Sequence, residues 1–138
     1  MFRVLKLTSP ASIGASSTSR FSDTYPVGSL IPWEFPARDD RAPVTICWYD
    51  GDLRPPRPKE LAAGEPMSNA DGEGMLLIGD RDKILCGFEG KRPRLIPDSR
   101  MKEFQPPPDD LPKSLGAYRE WLNAIRGDEE PRANFEFE

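Results

Sequence analysis

The stretch Ala42–Pro58, APVTICWYDGDLRPPRP, sets the tightest limits on the fold. Val44, Ile46 and Trp48 alternate with Thr45, Cys47 and Tyr49. This is the period-two pattern of a half-buried strand rich in β-branched and aromatic side chains. Asp50-Gly51 stops it, because glycine reaches positive φ at little cost and aspartate tolerates it. The continuation Leu53-Arg54-Pro55-Pro56-Arg57-Pro58 cannot return as a central strand, since its three prolines lack backbone donors. A buried strand is therefore predicted to deliver Trp48, Tyr49 and Asp50 to its C-terminal end. Beside it runs a stiff extended arm carrying Arg54 and Arg57.

The remaining elements follow from similar patterns. Ile13, Ala15 and Ser17 alternate within Ala11–Ser19 and predict a modest strand. Ser29–Phe35 alternates Ile31, Trp33 and Phe35 against Leu30, Pro32 and Glu34, and Pro32 argues for an edge strand or a bulged one. Pro36–Arg41 reads as a polar hairpin connection, so this strand should pair antiparallel with Val44–Tyr49, with Trp33 and Trp48 as aromatic anchors. Lys59–Gly74 is polar loop with room for a helical turn at Lys59–Ala63. Met75–Ile78 and Lys83–Phe88 flank a short Gly/Asp turn and predict a second hairpin, with Ile84, Cys86 and Phe88 on one face. Arg94–Ile96 adds a short strand before Pro97.

Gln105–Pro112 is a proline spacer. In Ser114–Arg126, Leu115, Tyr118, Leu122 and Ile125 share a helical stripe flanked by Trp121. Ser114 is placed to cap its start and Gly127 to close its end. Phe135 and Phe137 suggest the start of a further element. The sum is an α+β fold: an open, antiparallel-rich mixed sheet with one main C-terminal helix packed on a face.

Composition narrows the chemistry. At 138 residues the chain fits one domain, and 16 prolines assign much of it to loops and extended arms. A net charge of −4 gives no reason to expect nucleic acid or an anionic membrane as partner, and no run is long enough to span a bilayer. The opening Met1–Leu7 lacks a secretory apolar core. Cys47 and Cys86 both fall in predicted strands and read as buried, reduced thiols of a cytoplasmic protein. With no histidine and two cysteines, the usual metal-ligand sets and nucleophile–histidine pairs cannot be assembled within the chain.

The Trp48-Tyr49-Asp50 corner is the best candidate for a ligand contact. Aromatic rings beside a carboxylate suit a sugar, by stacking and by accepting hydrogen bonds from hydroxyls. The structural alternative makes Trp48 core and Asp50 a turn residue. Arg54, Arg57, Arg92 and Arg94 offer forked donors to a carboxylate or phosphate, or serve as solvated surface and subunit contacts. No spaced glycine pattern for phosphate is present.

The order of motifs KLTSPASIGASST, SDTYPVGSLIPWEFPAR, PVTICWYDGDLRPPRPKEL, GMLLIGDRDKILCG, PRLIPDSRMKEF and SLGAYREWLNAIRGDEEPRANFEF resembles the C-terminal domain of bacterial Gfo/Idh/MocA oxidoreductases. The resemblance implies a substrate-pocket and oligomerisation domain of an NAD(P)-dependent, sugar-type oxidoreductase. In this family a separate Rossmann domain holds the nicotinamide cofactor. The implied catalytic lysine and histidine match no position here, so the chain alone is expected to bind no cofactor and to turn over nothing. Residues 1–138 would then be a single domain lacking the Rossmann half and the final helix and strand. Pro32 and Asp82 depart from the family pattern of a strand residue and a turn glycine. The resemblance points to Trp48, Tyr49, Asp50 and Arg54 as substrate-side residues and to a homo-oligomer formed through the sheet. The alternative is a standalone β-sheet module for self-association or sugar binding.

Overall fold

The computed structural model describes residues 2–67, 72–87, 90–110 and 112–130. Phe88, Phe135 and Phe137 lie outside them. The chain divides into two compact units, Met1–Gln105 and Pro106–Glu138. The fold is α+β, with antiparallel sheets, short helices and the expected C-terminal helix.

In the first unit a short helix, α1 (Phe2–Leu5), precedes a four-stranded sheet. Two short strands, β1 (Ser12–Ile13) and β2 (Ser16–Ser17), lie along one side of β3 (Ser29–Phe35), and β4 (Val44–Tyr49) lies along the other. All pairings are antiparallel. The β3–β4 hairpin is extended by a bridge between Arg38 and Arg41 across Asp39-Asp40, with Asp39 at φ 50°.

The expectation that Pro32 marks an edge or bulged strand is corrected, because β3 is the central strand of its sheet. The Asp50 N–H donates to Ser29 O at 3.1 Å. By the alternation of an antiparallel ladder, β3 therefore bonds to β4 through residues 29, 31, 33 and 35. Pro32 turns its missing donor the other way, toward the gap between β1 and β2. There the Gly14 N–H donates to Pro32 O at 3.0 Å, and the return bond has no donor. Gly14 also makes room for the ring, since a Cβ on it would lie 3.2 Å from Pro32 Cγ.

The two strands pair antiparallel as expected, with Trp33 opposite Ile46 and Trp48 opposite Ile31. β4 is less buried than its alternation suggests, with Trp48 54% exposed and Cys47 exposed rather than buried. The cause is position: β4 is the outer strand of the sheet.

The second sheet orders β5 (Met75–Ile78), β6 (Lys83–Cys86) and β7 (Arg94–Ile96) as an antiparallel meander. Its register sets Leu76 opposite Leu85, and Lys83 opposite Ile96. The main core lies on the face of Leu85 and Ile96, so Ile84 is on the outer face, while Cys86 is buried as expected. The expected polar loop after Pro58 closes this core. Leu61 packs with Leu85 and Ile96, and Met67 and Leu76 pack against that cluster.

Charged residues hold this strap at both sides. Glu60 pairs with Lys83, and Glu65 pairs with Arg94. The Ala62 N–H donates to Glu65 Oε2 at 3.0 Å. The expected helical turn at Lys59–Ala63 is absent, the segment forming isolated turns instead. After β7 comes α2 (Asp98–Glu103), whose Arg100 reaches both Asp82 oxygens at 2.9 Å.

The second unit holds α3 (Ala117–Arg126). It starts after Gly116 rather than at Ser114. Glu120 reaches back to accept hydrogen bonds from Ser114 Oγ and the Leu115 N–H, which keeps those residues out of the first turn. Gly127 closes the helix in the left-handed conformation as expected, with its N–H on Ala124 O and that of Asp128 on Asn123 O. The apolar stripe of α3, including Tyr118, Trp121 and Ile125, is exposed.

Candidate functional site

The corner where β4 ends is built by the chain turning back on the start of β3. Asp50, Gly51, Asp52 and Leu53 form a tight turn in which the Leu53 N–H donates to Asp50 O at 3.1 Å. Gly51 and Asp52 take φ values of 56° and 69°. Aspartate and glycine are the residues that reach this region most readily. The turn presses Gly51 against the residues preceding β3, so Gly28 and Gly51 meet back to back. A Cβ on Gly28 would lie 2.9 Å from Gly51 O.

Asp50 then acts as a clasp across the open end of the hairpin. Its Oδ1 accepts the Ser29 N–H. Its Oδ2 accepts Ser29 Oγ at 2.7 Å and Trp48 Nε1 at 3.1 Å. The Ser29 hydroxyl beside it, then the Trp48 indole, hold the Asp50 carboxyl below its ordinary value of 3.8. Partial desolvation opposes them, and the Ser29 backbone N–H adds to the lowering. Thr18 braces the same corner from β2's side: the Gly28 N–H donates to Thr18 Oγ1 at 3.1 Å, and the Thr18 N–H donates to Gly28 O at 3.0 Å.

Of the four residues the sequence singles out, this geometry joins Trp48 and Asp50. Tyr49 sits opposite Leu30 on the other face of the sheet and is half-buried. Arg54 is exposed and has no hydrogen bond or ion pair among the described residues. Ser29, Thr18 and the Gly28–Gly51 contact were not singled out. Their signal in the sequence is only turn composition, Gly28-Ser29 before an alternating run. Their roles depend on partners distant in sequence: Ser29 bonds Asp50 21 residues on, and Thr18 bonds Gly28 10 residues on.

The arrangement presents Trp48 in a defined way. Its indole N–H is engaged by Asp50, and more than half of the side chain stays exposed. That leaves an apolar ring held in one orientation, suited to stacking on a C–H-rich surface. Asp50 is less open to a ligand than the sequence suggests, because both of its oxygens already accept hydrogen bonds from Ser29 and Trp48.

The arginines do not gather into an anion site. The Arg57 Nη2–H donates to Ala62 O, and Arg94 is shared between Glu65 and Asp98. Among the described residues no group of three or more His, Cys, Asp or Glu side chains is placed to hold a metal ion. The one strand-to-helix junction among the described residues, β7 to α2, passes through Pro97-Asp98 without a glycine turn and leads into a helix of six residues. No helix among the described residues is long and apolar enough to cross a membrane.

No family model matches the chain, and no curated protein matches it.

Proposed function

We propose that this chain is a non-catalytic binding and assembly module. In the form that its motif order suggests, it supplies the substrate-side wall and subunit contacts of an NAD(P)-dependent, sugar-type oxidoreductase in the cytoplasm. The nicotinamide cofactor would be held by a separate domain. The observation that carries the reading is the Trp48 indole, fixed at its N–H by Asp50 and exposed at the end of β4. A pyranose or polyol presents a C–H face that stacks on such a ring, and its hydroxyls can bond to polar groups at the rim. The lack of histidine fits a role in binding rather than in proton transfer.

Calorimetric titration with a panel of aldoses, uronic acids and polyols tests this reading. Heat is expected with at least one sugar class and is expected to vanish in Trp48→Ala. Absence of binding to the whole panel at millimolar sugar removes the stacking role. Micromolar NAD(H) binding by the isolated chain removes the non-catalytic one.

A further inference from the structure

The assembly part of that reading has a concrete location in the outer edge of β4. Since Val44, Ile46, Trp48 and Asp50 bond to β3, the N–H and C=O groups of Thr45, Cys47 and Tyr49 point away from the sheet. Among the described residues these three form no backbone hydrogen bond on that side. Proteins blunt exposed edges with lysine, proline, bulges or very short strands. The six residues VTICWY have none of these devices.

We propose that β4 pairs antiparallel with β4 of a second copy of this chain, around a two-fold axis at Cys47, joining two four-stranded sheets into one. The occupant is argued from self-complementarity. Centred on Cys47, the pairing sets Thr45 opposite the second copy's Tyr49 and Cys47 opposite its equivalent. All three outward-facing residues of each strand then bond to their counterparts. On the other face Ile46 meets the second copy's Trp48, which covers part of the exposed indole in both copies. Aromatic and β-branched neighbours of this kind stabilise a sheet. No charged side chain is brought opposite a like charge, because the strand contains none. The ladder ends at matching places in both strands, since Pro43 faces Gly51 of the other copy.

The other free edges are poorer candidates. β5 has four residues, β7 has three, and the β1–β2 edge is interrupted at Gly14 and Ala15.

The proposal rests on the assembly half of the proposed function and not on the sugar half. The decisive experiment combines light scattering with thiol cross-linking of the full chain. Wild-type protein is expected to be a dimer at micromolar concentration. Thr45→Lys places a charge on the edge and is expected to give a monomer with an unchanged circular dichroism spectrum. Thr45→Pro, which removes an outward donor without touching the β3 ladder, is expected to do the same, so a folding defect in one variant leaves the other to decide.

In the proposed register the two Cys47 Cα atoms lie about 5.5 Å apart. A short bis-maleimide is therefore expected to link wild-type and Cys86→Ser chains into dimers, but not Cys47→Ser chains. A monomeric wild type overturns the proposal. So does a dimer that survives Thr45→Lys, or one that cannot be linked through Cys47. Sugar calorimetry on the Thr45→Lys monomer reads the binding half separately, so either half can fail alone.

Discussion

At Gly51 the backbone turns through φ +56° so close to the residues just before β3 that a Cβ would lie 1.6 Å from Val27 O. Gly64 has φ +80° but nothing within 4 Å of the same position. Comparing the two separates backbone strain from collision. Gly64→Ala is expected to cost only the left-handed penalty, about 1–2 kcal/mol. Gly51→Ala is expected to cost more, because the turn must move away from Val27 and draw Asp50 off Ser29. Thermal melts of both variants check this, and equal shifts would argue against the close approach. Sequence alone shows Asp50-Gly51 as a turn, because turn chemistry is local. It does not show that Asp50 is a clasp, because Ser29 lies 21 residues earlier and no periodicity marks it. The same holds for the contact between Gly28 and Gly51.

Among the elements, the strap at 58–67 differs most from its sequence pattern. Its composition is that of a polar loop, yet Leu61 is 6% exposed and packs on Leu85 and Ile96. Leu61→Ala is expected to cost about 2–5 kcal/mol, as for other buried leucines. Thiol labelling reports the consequence without relying on a melt. Cys47 is exposed and should react at once in the native protein, whereas buried Cys86, whose thiol is pushed up by desolvation, should stay protected until the sheet opens. Leu61→Ala is expected to speed labelling of Cys86 and leave Cys47 unchanged.

The legible elements are those with a regular pattern or a clear stop: β3, β4, the β5–β6 hairpin, β7 before Pro97, and α3. Those missed, α1 and α2, are four and six residues long, too short for a helical period to register. Which face of β6 meets the main core was not legible for a related reason. Ile84 and Leu85 are equally apolar, and only the strap, which closes over Leu85, decides which of them points to the core.

For the whole molecule, carboxylates set the response to acid. Asp50, Glu60, Glu65 and Asp82 are all held below their ordinary values, 3.8 for the aspartates and 4.5 for the glutamates. The leading causes are hydrogen bonds from the side chains of Ser29, Lys83, Arg94 and Arg100 respectively. A group with a depressed folded value takes up its proton more readily in the unfolded chain. Stability from these groups is therefore complete above the ordinary carboxylate range, and falls as pH drops through that range toward the lower folded values. Denaturant melts across this window are expected to show the decline, and Glu65→Gln is expected to shrink it while lowering stability at neutral pH.

The way the strands are connected has a kinetic consequence. Every ladder in both sheets joins strands near one another along the chain, and the widest pairing in register, Ser12 with Glu34, spans 22 residues. Closing such short loops costs little chain entropy, and proteins dominated by near contacts cross their folding barrier quickly. The chain should thus assemble each sheet outward from its own hairpin turn, at Asp39-Asp40 and at Gly79–Asp82, without waiting for its distant ends to find one another.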